Sequence, residues 1–269
     1  MTDWAAFAGI AVALLALLLV LARASQAYVG PTVTPAERAW LAGLPDGADH
    51  LDASGAPAPT PASTESLSGG FLLVNVALSQ GLFGFVLLLG AWYTEVPLVA
   101  LGLGPAPLST GAPAVLWGLA LGAALAGANA LGSRVAERVG YEPGTELREL
   151  LAPETTREWL LLFGVALPTV AVVEEFLFRA TLVGAFAAGF GVSPWLLAAL
   201  SSVAFAVGHG AQGPAGVVVT GLLGFVLAAA FVLTGSLLVV ILAHYLVNAA
   251  EFLRHERPGR GDRGRSATG

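Results

Sequence analysis

The hydrophobic pattern divides the chain into long apolar runs separated by short polar breaks. Residues 4–22, 71–92 and 112–132 each form a run of about 20 residues, enough for an α-helix to cross a hydrocarbon core of about 30 Å. Three further runs, 194–210, 215–233 and 236–253, follow one another with short turns between them. The run 159–190 is 32 residues long. As one straight helix it would measure about 48 Å, too long for a single span. Pro168 supplies a break, because proline suits a helix start but removes an interior hydrogen bond. The pattern therefore predicts a spanning helix over 168–189, preceded by an interfacial or re-entrant helix from Thr156. The fold class is an all-α polytopic membrane bundle of about seven transmembrane helices.

The segments between the runs complete the organisation. Residues 1–23 read as a retained transmembrane anchor, since Thr2 and Asp3 precede the run where a cleavable leader carries positive charge. Residues 24–70, centred on Ala56-Pro57-Ala58-Pro59-Thr60-Pro61, read as a flexible linker that cannot build a packed core. Residues 71–158 hold helices 2 and 3 and a charged connection, 159–253 the helical core, and 254–269 an arginine-rich disordered tail. Gly118, Gly122 and Gly127 are the small residues that let membrane helices approach closely. Asn75, Ser79, Gln80 and Asn129 are expected to hydrogen-bond between helices.

Composition narrows the function classes. A chain that is 56% hydrophobic and 11% charged, with mean hydropathy +0.79, is not an ordinary soluble domain. The absence of cysteine removes thiol nucleophiles, thiolate metal sites and disulfides. All twelve basic residues are arginine, and the net charge of -6 argues against a nucleic-acid partner. Seven spans with the N-terminus outside place eleven arginines on the cytoplasmic side and none outside, leaving only Arg179 within a span. The positive-inside rule therefore predicts a multi-pass cell-membrane protein with a cytoplasmic C-terminus.

A charge near the bilayer centre costs about 2.5–3.5 kcal/mol even on insertion scales, so ionisable residues inside spans are functional candidates. The run 168–189 carries Glu174, Glu175 and Arg179. Glu175 and Arg179 are four apart with the acid first, the favourable order for a helical ion pair. That leaves Glu174 as the carboxylate without a local partner, suited to act as a general base. Phe205 and His209 share the next helix at a spacing of four, as do His244 and Asn248 on the last. Counted from helix ends at 1.5 Å per residue, Glu174, His209, His244 and Asn248 reach similar depths in the inner leaflet.

Three motifs in this order, Glu-Glu-x-x-x-Arg, Phe-x-x-x-His and His-x-x-x-Asn, resemble those of the CPBP family, the CAAX-protease and bacteriocin-processing intramembrane proteases. The resemblance covers about a third of the chain. It implies a helical bundle with a polar cavity open to the cytoplasm and endopeptidase activity on a membrane protein or peptide in the lipid bilayer. Position by position, it implies that Glu174 activates the water and that His209 assists it or binds a metal. His244 and Asn248 would bind the developing oxyanion, with Glu175 and Arg179 completing the site. The family is commonly called metalloprotease, so Glu174, His209 and His244 could hold a zinc ion with an open water position. A metal-free route through Glu174 is equally open. One departure from the family is that residues 180–193 contain no basic residue, where family members often carry arginines. A non-catalytic membrane scaffold or immunity-type protein, or an ion-coupled transporter, are the competing classes.

Overall fold

The computed structural model describes residues 1–28, 69–138 and 151–255. Residues 29–68 of the expected linker, much of the charged connection and nearly all of the arginine-rich tail lie outside the described residues, whereas 24–28 and 69–70, expected in the linker, are helical. Helix α1 spans Trp4–Tyr28, α2 Gly69–Tyr93, the short α3 Pro107–Thr110 and α4 Ala112–Arg138. Then come α5, Thr156–Phe190, α6, Pro194–Gly208, α7, Gly213–Thr234, and α8, Leu237–His255. Among the described residues the only bridge is an isolated antiparallel one, between Leu103 and Ser236. Among the described residues six helices are long and apolar enough to cross a membrane; α6, at 15 residues, is shorter. The chain is an all-α, multi-pass membrane protein.

The expected break at Pro168 does not occur, and α5 runs on through it. The reason is a π-turn at Leu162–Ala166, in which the Leu167 N–H bonds the Leu162 carbonyl five residues back. In that register Pro168 would have served the Phe163 carbonyl, and the Tyr245 hydroxyl donates to it instead at 3.2 Å. A neighbouring side chain thus replaces the donor that proline lacks, and the helix continues. The expected interfacial helix is the first part of α5. A capping box starts it, with Glu158 N–H donating to Thr155 Oγ1 and Thr155 N–H to Glu158 Oε2. The other Glu158 oxygen accepts from Gly70 N–H at 3.1 Å, so one carboxylate caps α5 and joins it to the start of α2.

Small residues set the helix spacings. A Cβ on Gly118 would lie 2.8 Å from Leu242 Cβ, and one on Gly122 would lie 2.8 Å from Leu246 Cβ, so α4 and α8 run parallel in close contact. Gly127 meets nothing within 4 Å. Further along this seam Asn129 Nδ2 donates to Glu251 Oε2 at 2.8 Å, the interhelical bond expected of it. The other expected partners differ. Asn75 is exposed, Ser79 bonds its own helix at the Val76 carbonyl, and Gln80 Oε1 is buried without a partner.

Helix α1 is tied to the bundle at its first turns. The Met1 amine pairs with Glu95 at 3.0 Å and Asp3 N–H donates to the Thr94 carbonyl. Trp4 covers Gly189, and Phe7 and Ala11 are buried. Helices α1, α4, α6 and α8 run one way and α2, α5 and α7 the other. Every described arginine except Arg179 therefore falls at one end of the bundle, whereas Asp3 and Glu95 lie at the opposite end.

Candidate active site

Helices α5, α7 and α8 are in register at the level where Gly184 meets the Phe231 ring, with Leu237 opening α8 just beyond. From there Glu175, Gly224 and His244 are nine, seven and seven residues along their helices, or about 10–14 Å at 1.5 Å per residue. That common depth lets side chains from three helices meet inside the bundle. The π-helical stretch Phe176–Ala185 begins immediately after Glu175. Wider turns of this kind release carbonyls from the ladder and often mark functional sites. Within this stretch the Phe178 carbonyl accepts from the Ser201 hydroxyl of α6 at 2.6 Å.

Glu175 and Arg179, both 0% exposed, form the centre of the cluster. Arg179 Nη1 donates to Glu175 Oε1 at 2.8 Å, so the expected ion pair forms. The same oxygen takes a 2.7 Å bond from His244 Nδ1. Arg179 Nη2 donates to the Gly224 carbonyl at 2.9 Å, which brings α7 into the knot. The guanidinium also lies 4.6 Å from the Phe205 ring centroid, a cation–π contact in apolar surroundings. Buried charges are tolerable when paired and hydrogen-bonded in this way.

Glu174 stands beside this knot. It is 9% exposed, and its Oε2 is buried with no hydrogen-bond partner, 3.7 Å from His244 Nε2. His244 is therefore shared between two acids. With Nδ1–H given to Glu175, the neutral ring presents Nε2 to Glu174 as an acceptor, and the protonated ring presents it as a donor.

His209 was expected within a helix and is instead the residue that closes α6, with φ -100° and ψ 21°. Its Nδ1 donates to the Phe205 carbonyl at 2.8 Å, satisfying an acceptor left open at the helix end. The imidazole packs 4.4 Å from the Phe205 ring, which in turn meets the His244 ring in a T-shaped contact at 6.1 Å. Phe205 thus links His209 to the knot by contact. Asn248 is half-buried on α8, one turn beyond His244, and among the described residues no hydrogen bond ties it or His209 to Glu174. Four of the six expected residues are directly connected, and the other two lie at the edge.

Residues 156–250 match the family model described as Type II CAAX prenyl endopeptidase Rce1-like. This segment is Rce1-like. It starts at the first residue of α5 and takes in all six site residues, so the family relationship expected from the three motifs holds over this part of the chain. No curated protein and no solved structure matches. This similarity supports, at family level, an intramembrane protease of the CAAX type.

Among the described residues, no three His, Asp or Glu side chains gather as a metal-binding set. Glu174, His209 and His244 are not assembled into the three-ligand arrangement that zinc requires. Both imidazoles of the Rce1-like segment commit Nδ1, one to a carboxylate and one to a carbonyl, and keep Nε2 available, an arrangement that suits a proton acceptor and a metal ligand alike. The Gly224 carbonyl had no signal in the sequence, because a backbone acceptor leaves no trace in residue type.

Proposed function

We propose that this protein is an intramembrane endopeptidase that hydrolyses a peptide bond near the cytoplasmic membrane face, with Glu174 as general base. The observation that carries the reading is Glu174 Oε2, buried without a hydrogen-bond partner 3.7 Å from His244 Nε2, on the carboxylate that, unlike Glu175, makes no ion pair with Arg179. A carboxylate oxygen left without a donor in such a setting is costly, and a substrate water is the donor it lacks. Glu174 takes a proton from that water while the oxygen adds to the scissile carbonyl carbon. The tetrahedral intermediate then collapses with cleavage of the C–N bond, and Glu174 returns the proton to the leaving amine.

When both of its ring nitrogens carry a proton, His244 donates through Nε2 to the developing oxyanion, beside the Asn248 carboxamide. His209, its Nδ1 fixed by the Phe205 carbonyl, offers Nε2 to the water. Glu175 and Arg179 touch no reacting atom in this scheme. They hold the His244 ring in one orientation with Nδ1–H on Glu175, as the outer carboxylate does in other hydrolytic triads. The scheme needs no metal. The arginines collected at one end of the bundle support a topology in which that end is cytoplasmic, with the C-terminus inside and the N-terminus outside.

Comparative N- and C-terminal proteomics of membranes tests the reading, with the wild type set against a Glu174→Gln strain. The expected result is a set of protein ends that disappears in the variant while the variant's level and melting temperature stay unchanged. An identical set of ends in both strains would return the chain to the scaffold class. Dialysis of the purified enzyme against a chelator is expected to leave cleavage intact, and loss restored by zinc would overturn the metal-free scheme.

A further inference from the structure

The region outside the catalytic knot that carries the clearest chemistry is a groove of about 540 Å³ between α1 and the end of α6. It is lined by Leu19, Val20, Arg23, Val207 and Gly210. Its α6 wall thus ends at the residues on either side of the Gly208–His209 pair. The two walls are close there, with Leu18 and Leu19 methyl groups 3.6–3.7 Å from where a Cβ on Gly208 would stand.

The groove combines an apolar wall with a single charge at one end. Val20 and Val207 are exposed on the outer surface of membrane helices, so whatever fills the groove comes from the acyl-chain region. Arg23 is exposed one turn beyond Leu19, at the end of the bundle where the other described arginines lie, and no described residue pairs with it. An occupant therefore needs an apolar chain of membrane depth joined to an anion at the interface. A free anion lacks the first and a zwitterionic lipid lacks the net charge.

We infer that this groove is a binding site for one anionic phospholipid, with its headgroup on Arg23 and an acyl chain along Leu19, Val20 and Val207. The site goes beyond the proteolytic reading and does not depend on it. Helix α1 fits this role, since its first turns are pinned by Glu95, Thr94 and Gly189 while its other end leaves the groove open. The lipid completes the wall between α1 and α6 next to His209.

The test uses the full chain, reconstituted in vesicles of phosphatidylcholine with a minor share of phosphatidylglycerol, extracted in detergent, washed and analysed by native mass spectrometry. Wild type is expected to retain one phosphatidylglycerol per chain in preference to phosphatidylcholine. Arg23→Gln, at an exposed position where folding is not at risk, should weaken that preference about fivefold, the ratio that one arginine near an anionic surface is worth. Val207→Trp fills the groove and should remove the lipid whatever its headgroup, whereas Arg134→Gln on α4 should change nothing. Equal retention of the two lipids, or unchanged preference in Arg23→Gln, would overturn the inference. So would displacement of the lipid by inorganic phosphate alone, which would mark a bare anion site. Because the readout is bound lipid, the outcome stands apart from whether the protein cleaves anything.

Discussion

Two faces of α8 are held in place by opposite means. Toward α4 the contact is made by absence, where Gly118 and Gly122 let Leu242 and Leu246 approach to a distance that no Cβ would allow. Toward α5 it is made by charge, with His244 fixed on a carboxylate that is itself fixed on Arg179. In lipid, where apolar surface gains nothing by leaving the solvent, close packing and hydrogen bonds are the two means of association available. One helix uses both, a turn or two apart. The packed face can be altered in small steps, whereas the charged face fails as a unit because removing one member strands the others.

The largest expected effect follows from that difference. Arg179→Leu leaves Glu175 buried without its cation and should destabilise the protein by about 3–5 kcal/mol, with loss of cleavage. Denaturant unfolding in micelles measures the first and a peptide-end assay the second. The double change Glu175→Leu with Arg179→Leu removes the stranded charge, so stability should largely return while cleavage does not, because His244 is no longer oriented. A double variant as unstable as the single one would show that packing, rather than charge, holds this face together.

The packed face gives the intermediate effect. Gly122→Leu forces side-chain atoms into Leu246 and Ala243 and should cost about 1–3 kcal/mol. Gly127→Leu, on the same helix but with nothing within 4 Å, should cost nothing measurable. Neither should alter kcat at a temperature where both variants are folded. A fall in kcat for Gly122→Leu without a stability change would mean that the α4 seam and the catalytic knot move together.

The two faces also differ in how far residue types reveal them. Glycines four apart in an apolar run and an acid four before an arginine are local patterns, and both contacts appear where the spacing places them. The course of α5 was not legible. Proline in a long apolar run reads as a break, but here a hydroxyl from Tyr245, 77 positions later, takes over the Phe163 carbonyl. No window around Pro168 contains that residue. The same holds for Gly224, whose carbonyl rather than side chain does the work; His209 closes its helix with its ring bonded to the Phe205 carbonyl one turn back. Local spacing identified the charged residues; partners distant in the chain determined what each one bonds.

The smallest expected change in stability lies at Gly224, where the two kinds of contact meet. A Cβ there would stand 3.1 Å from Phe205 Cδ1 and 3.4 Å from Arg179 Nη2, so Gly224→Ala asks the ring to give by a few tenths of an ångström. Replacing glycine by alanine inside a helix gains up to about 1 kcal/mol. The crowding costs a similar amount, and net stability should stay within about 1 kcal/mol of wild type. Activity is the sensitive readout, because the Phe205 ring supports the His209 imidazole at 4.4 Å and any tilt passes directly to it. A fall in kcat of less than about tenfold with KM unchanged is expected, in keeping with a sub-ångström displacement of a catalytic group. Wild-type kcat in a folded Gly224→Ala variant would detach His209 from the aromatic support and leave Arg179 as the only element for which α7 matters.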